Sequence, residues 1–272
     1  VFTLSCALPL GAGPASAADA DKRIALVIGI GAYQFAPALP NPPNDARAIA
    51  AALKNLKFEV EEAYDLDNRG FSGRLRDFGI RAAEADVAVI FYAGHGLQVR
   101  GQNYLLPSDA RLERERDLVY EAMPLNLILG ELAQARKLGV LILDACRNNP
   151  FPNVNDAGRG LAVVDAPSGS IVGYSTAPGM EAQDGNNGHS PYTNAFLRLA
   201  REPNLPIEQL FKRVRLEVNA TTDGRQTPWE SSSLTSDFYF FGDTTVAASR
   251  APANEPVVQM ASNLPNRSVR QA

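Results

Sequence analysis

The chain has 272 residues, 45% hydrophobic and 21% charged, which is material for one α/β domain with flanking tails. A net charge of −4 at pH 7 gives no electrostatic footing for nucleic acid or an anionic membrane surface. No apolar run reaches the roughly 18 residues of a membrane span.

In chain order, residues 1–19 lack Lys and Arg, begin apolar, and end in small residues, with Ala15-Ser16-Ala17 in the A-x-A form of a signal-peptidase site. They are read as an export leader, the alternative being a disordered Ala/Gly-rich segment. Cleavage after Ala17 removes Cys6, leaves Cys146 as the one thiol of the mature chain, and makes the protein periplasmic or secreted. Residues 20–242 form the folded domain, and residues 243–272, poor in aromatics and rich in Ala, Pro, Asn and Ser, read as disordered tail or linker.

Within the domain, Arg23 to Ile30 is a near-continuous apolar run, the pattern of a parallel strand buried on both faces. Asn44 is expected to cap a helix that starts at Asp45. Phe58 to Tyr64 reads as a second strand, and Gly70 to Ala85 as a helix with Phe71, Leu75, Phe78 and Ile80 on or near one face. Val87 to Tyr92 is a third strand running to His95, and Gly101-Gln102-Asn103 forms a hairpin turn. A helix from about Pro124 to Lys137 leads into a strand at Val140 to Leu143, followed by a long loop over residues 147–168. A strand at Ser170 to Ser175, helices from Pro191 to Ala200 and from Pro206 to Asn219 (Pro206 in the first turn), and a closing strand at Asp237 to Phe241 complete the domain. Strands alternating with helices at this spacing imply a mostly parallel, doubly wound sheet. Ligands on such sheets bind beyond the carboxyl ends of the strands.

His95 and Cys146 both follow apolar runs at those ends, in AVIFYAGHG and GVLILDACRNN. A cysteine attacks as its thiolate, and a neighbouring histidine can favour that form and then protonate a leaving amine. A satisfied core histidine with an inert cysteine is the plainer reading of the same residues.

The strings YAGHG, GQNYLLPSDA and DACRNNPF closely resemble the bacterial caspase-like peptidases, the metacaspase and orthocaspase branch of the caspase family, over residues 22–241. His95 also lies about 50 residues upstream of Cys146, a spacing shared with caspases. The resemblance implies a caspase-like three-layer sandwich with helices on both faces of a mostly parallel central sheet. It assigns Cys146 as nucleophile, His95 as general acid/base, and the backbone N–H groups of Gly96 and Cys146 as the oxyanion hole.

Animal caspases carry Gln two residues before the cysteine, whereas this chain has Asp144. Strand alternation puts Asp144 on the same side as Cys146, and Asp45 matches a second acidic S1 position in metacaspases. Two carboxylates would favour Arg or Lys at the P1 position and repel Asp. Each also has a plainer reading, Asp45 as a helix N-terminal charge and Asp144 as a loop cap. Ser175 matches a segment forming the pocket wall, or is a simple turn residue.

Weaker candidates are His189, read as a solvated loop residue, and Trp229, which lines the S2 side or anchors a loop. The chemistry requires no cofactor. Calcium, an activator of many metacaspases, has one matching position in Asp109, but Asn153 stands where another acid is expected. Arg159-Gly160 is a candidate autoprocessing bond.

The expected function is a cysteine endopeptidase, monomeric, acting on proteins or peptides after Arg or Lys through an acyl-enzyme. Two rivals stay open: a catalytically silent scaffold or peptide-binding module, and a cysteine amidase or transpeptidase acting on cell-wall peptide.

Overall fold

The computed structural model describes residues 21–145, 149–151, 153–154, 157–185 and 188–241, with the side chains of residues 157 and 158 left aside. The leader, Cys146 and the tail lie outside the described residues.

Six strands form the main sheet: β1 (Arg23–Gly29), β2 (Glu59–Tyr64), β3 (Val87–Ala93), β7 (Leu138–Asp144), β9 (Ser170–Tyr174) and β10 (Trp229–Ser232). Their spatial order is β10-β9-β7-β3-β1-β2, parallel throughout except for β10, which runs antiparallel to β9. A smaller sheet in the order β6-β5-β4-β8 comprises β4 (Gly96–Val99), β5 (Gln102–Leu105), β6 (Met123–Pro124) and β8 (Ala157–Gly158).

Alternation along the central strands sorts the core into two layers. Ala25, Val27, Val89, Phe91, Val140 and Ile142 face α1 (Pro42–Asn55), α5 (Pro191–Leu199) and α6 (Ile207–Thr221). Ile24, Leu26, Ile28, Ala88, Ile90 and Leu141 face α2 (Asn68–Ala82) and α4 (Leu125–Leu132). Both faces are therefore covered by helices, as parallel strands with continuous apolar runs require. The edge strand β2 instead presents Glu59, Glu61 and Glu62, paired with Arg81, Arg74 and Lys54. Charged residues of this kind blunt an open edge.

Several local expectations need correction. The first helix begins at Pro42 after Asn41, not at an Asn44 cap, because two prolines with preset φ occupy its first turn. Ile80 points to solvent on α2; its position is off the stripe set by Phe71, Leu75 and Phe78. Gln102 and Asn103 belong to β5, so the hairpin turn falls on Arg100-Gly101, both with positive φ. The helix before β7 ends at Leu132 rather than Lys137. Pro206 is the N-cap residue of α6, one position before its first turn.

The final aromatic run forms no ladder strand; it makes the isolated bridge of Tyr239 to Pro206, with the Ile207 N–H donating to the Phe238 carbonyl and the Asn204 N–H to that of Phe241. Phe238 and Phe240 are core plugs, Phe240 packing edge-on against Phe196 and Phe238. The sheet is closed by the polar strand β10. A short α3 (Leu118–Glu121) precedes β6.

The chain proceeds from β1 outward to β2, then returns to the other side of β1 for β3 and onward to β7 and β9. The strand order thus reverses between β1 and β3, the topological switch point where open α/β sheets hold ligands.

Candidate active site

The segments leaving β1, β3 and β7 converge at this switch point. The register pairs Ala93 of β3 with Asp144 of β7, and the N–H of Gly94 donates to the Asp144 carbonyl at 3.3 Å. His95 and Cys146 each follow two residues later in sequence, Cys146 itself lying outside the described residues.

His95 is buried and held at main chain and ring. Its N–H donates to the Tyr33 hydroxyl at 2.7 Å, and its carbonyl accepts from the Tyr92 hydroxyl at 2.7 Å and from the Leu106 N–H at 3.0 Å. The two tyrosine hydroxyls lie 3.3 Å apart. Gly94 is required between them, because a Cβ there would lie 2.6 Å from the Tyr33 oxygen and 2.7 Å from that of Tyr92. The imidazole packs on the Tyr33 ring with centroids 4.6 Å apart. Its Nε2 is 2.8 Å from the Pro37 carbonyl. A carbonyl only accepts, so Nε2 carries the hydrogen and Nδ1 is the basic nitrogen of the neutral ring.

Tyr33 and Pro37 sit on the loop after β1, which Asp65 pins by accepting from the N–H groups of Gly31 (2.8 Å) and Ala32 (2.9 Å). Beside the ring opens a cavity of about 520 Å³ lined by Pro37, His95, Asn149, Glu181, Ala182 and Asp184 among others.

Asp45 and Asp144 are both fully buried. An isolated buried carboxylate is costly, so each must be met by donors. One five-residue stretch at the start of α5, residues 189–193, supplies them. Ser190 caps that helix, its Oγ accepting from the Thr193 N–H at 2.9 Å. The Ser190 hydroxyl also donates to Asp144 Oδ2, as does the Thr193 hydroxyl at 2.8 Å. The Ser190 N–H donates to Asp45 Oδ1 at 3.3 Å, and His189 Nδ1 lies 2.8 Å from the same oxygen. The two acids from distant parts of the chain therefore share Ser190 as a neighbour. The expectation of a solvated His189 is overturned: a buried carboxylate 144 residues away holds its ring.

Gly96 begins β4 against a tight wall, a Cβ there falling 3.3 Å from both the Ala145 Cβ and a Leu161 methyl. Ser175 is fully buried, its hydroxyl donating to the Ala145 carbonyl at 2.8 Å. It thus fixes the backbone directly before residue 146. Gln226, which drew no attention in the sequence, is fully buried and joins two walls: its amide donates to the Ser175 carbonyl at 2.7 Å and accepts from the Gln183 N–H at 3.0 Å.

The remaining candidates lie elsewhere. Arg159 pairs with Glu181 at 2.9 Å, and its carbonyl accepts from Gln98 at 3.2 Å. Trp229 is exposed on β10 under the Arg215 guanidinium. Asp109 Oδ1 accepts from the Asn68 N–H at 2.8 Å, at the start of α2, and Asn153 stands in an exposed turn. Among the described residues no group of three or more His, Cys, Asp or Glu side chains is clustered as metal ligands. No helix among them is long and apolar enough to cross a membrane.

Tyr33, Tyr92, Ser190 and Gln226 are the positioning groups that sequence reasoning missed. Only Tyr92, inside YAGHG, lay within a motif that could have drawn attention.

A six-stranded, mostly parallel sheet clad by helices, with a tethered histidine and two buried acids at its carboxyl edge, defines a caspase-like α/β sandwich. The chain belongs to the caspase-domain peptidase family: residues 22–239 match the family model described as the caspase domain. It is similar to mucosa-associated lymphoid tissue lymphoma translocation protein 1 of Homo sapiens, 27% identical over 168 residues, covering 60% of this chain and 19% of that protein. The Mus musculus homolog matches with the same identity and coverage. The chain thus spans about a fifth of the length of these relatives.

Proposed function

We propose that this caspase-family cysteine peptidase domain cleaves proteins or peptides after Arg or Lys, in the manner of the metacaspase and orthocaspase branch. Cys146 is the nucleophile, and His95 Nδ1 takes the thiol proton and returns it to the leaving amine. The thiolate adds to the scissile carbonyl, the C–N bond breaks to give an acyl-enzyme, and water, deprotonated by His95, releases the acid. The N–H groups of Gly96 and Cys146 stabilise the oxyanion.

The observation that carries this reading is the pairing of a tautomer-fixed His95 with two fully buried carboxylates gripped by one loop. Asp45 and Asp144 form the floor of the S1 pocket, and Ser175 its rear wall. Two carboxylates suit a guanidinium or ammonium and repel an acidic P1 side chain. A cell-wall amidase would need a basic residue in its substrate to match the acids.

Metal ions take no part in the bond-breaking step. We further place the working unit as a single exported chain, with Arg159-Gly160 as a self-cleavage bond. That bond is tethered by Gln98 and Glu181 and must be freed from β4 before it can enter a cleft.

Fluorogenic peptides with Arg, Lys or Asp at P1 test the reading, offered to the wild type and Cys146→Ala with calcium and with a chelator. The expected result is Cys146-dependent turnover of the Arg and Lys peptides alone, independent of calcium. Intact-mass analysis of the same incubations should show a cut after Arg159 in the wild type only. Turnover after Asp, or none that depends on Cys146, contradicts the proposal.

A further inference from the structure

We infer that His189 sets the affinity of the S1 site: its imidazole occupies, in the unliganded protein, the place on Asp45 that a substrate's guanidinium or ammonium takes, and substrate must displace it. The inference rests on the S1 reading above and adds a resident competitor to it.

The lone pairs of Asp45 carry the argument. Each carboxylate oxygen has two acceptor sites. His189 Nδ1 meets Oδ1 at 2.8 Å, and the Ser190 N–H is shared between Oδ1 at 3.3 Å and Oδ2 at 3.4 Å. The Ser190 contact belongs to the backbone at the cap of α5 and stays in place. The His189 contact belongs to a side chain and can be released. An imidazole N–H on a carboxylate is also the same donor chemistry that a guanidinium brings, so the two are alternatives at one oxygen.

The surroundings permit the exchange. Asp45 is fully buried, whereas the His189 side chain is 32% exposed. His189 borders a second cavity, of about 630 Å³, lined by Asp184, Asn194, Glu217 and Arg225 among others. The backbone beside it is closely packed: a Cβ on Gly185 (φ +84°) would lie 2.2 Å from the His189 carbonyl oxygen. Asn41 ties this stretch down through the carbonyls of Asp184 (2.6 Å) and Gly185 (3.0 Å). The displacement proposed is a rotation of the ring about its own side-chain bonds.

Because the released contact is on the protein side, its cost is common to every basic substrate. Removing the imidazole should therefore tighten Arg and Lys binding by the same factor. A merely structural histidine would do the opposite, since its loss would loosen Asp45 and weaken both. A hydrogen bond to a charged, part-exposed group sets the scale at about tenfold.

The test measures benzamidine binding by calorimetry, together with KM and kcat for Arg and Lys peptides, in the wild type, His189→Ala and His189→Asn. Asn restores a donor near the position of Nδ1. The expected result is a roughly tenfold lower Kd and KM in His189→Ala, equal for Arg and Lys, with values near wild type in His189→Asn. Unchanged or weaker binding in His189→Ala overturns the inference while leaving the S1 reading in place. No saturable benzamidine binding in any form, alongside Cys146-dependent cleavage after a different residue, overturns the S1 reading and this inference with it. A measurement on the wild type alone does not depend on how the variants fold. The chain has only two histidines, so the His189 ring nitrogens can be followed by NMR. They should shift as benzamidine saturates the site, and an unmoved His189 signal at saturation overturns the displacement.

Discussion

Replacing His95 by Ala is expected to lower kcat on an arginyl peptide by roughly 10³-fold with little change in KM. The size follows from what the side chain is held to do. With Nε2 committed to the Pro37 carbonyl, Nδ1 is the nitrogen that the proposed mechanism uses to accept and return the proton. Backbone contacts to Tyr33, Tyr92 and Leu106 set where that nitrogen stands. In the proposed mechanism the substrate's P1 side chain is recognised elsewhere, on Asp45 and Asp144, which is why KM should hold. His95→Gln should be no better than Ala, since an amide keeps a donor but has no basic nitrogen. Steady-state kinetics check this directly, and a loss smaller than tenfold would mean that the proton moves by another route.

The second large effect concerns Asp144. Truncating one partner of a buried, hydrogen-bonded charge pair costs about 2–5 kcal/mol. Asp144→Asn should therefore reduce kcat/KM for an Arg peptide by roughly 10²- to 10³-fold. Asn can still accept from the Ser190 and Thr193 hydroxyls that now meet Asp144 Oδ2, so the cap of α5 is kept. Asp45→Asn should act in the same direction and combine with Asp144→Asn less than additively, because both acids touch Ser190. Alkylation of Cys146 by iodoacetamide, which has no P1 group, should proceed at the wild-type rate in both variants. Equal losses for peptide cleavage and for alkylation would mean that the acids support the fold and not recognition.

The parts of this architecture that could be read from sequence are those with a local cause. Strands β1, β3 and β7 declare themselves as unbroken apolar runs because both of their faces are covered. The histidine is legible because it ends such a run. Strand β10 is not, since Trp-Glu-Ser-Ser at a sheet edge has neither a buried face nor alternation, and its pairing with β9 comes only from tertiary contact. The aromatic run ending at Phe241 misleads for the converse reason: Phe238 and Phe240 join the core through tertiary packing and not through a sheet ladder. His189 and Ser190 look like a polar loop because the carboxylates they serve are encoded 144 and 46 residues away. The hydroxyl of Tyr33 meets the His95 backbone across 62 residues, with no periodicity to announce it.

The central claim is that one thiol, Cys146, attacks peptide bonds chosen by a basic P1 side chain. A peptidyl acyloxymethyl ketone with Arg at P1, compared with its Asp counterpart and mapped by mass spectrometry, tests both halves together. The account predicts a single adduct on Cys146 with the Arg probe, lost in His95→Ala, and none with the Asp probe. Labelling at any other residue, or equal labelling by the Asp probe, would contradict it.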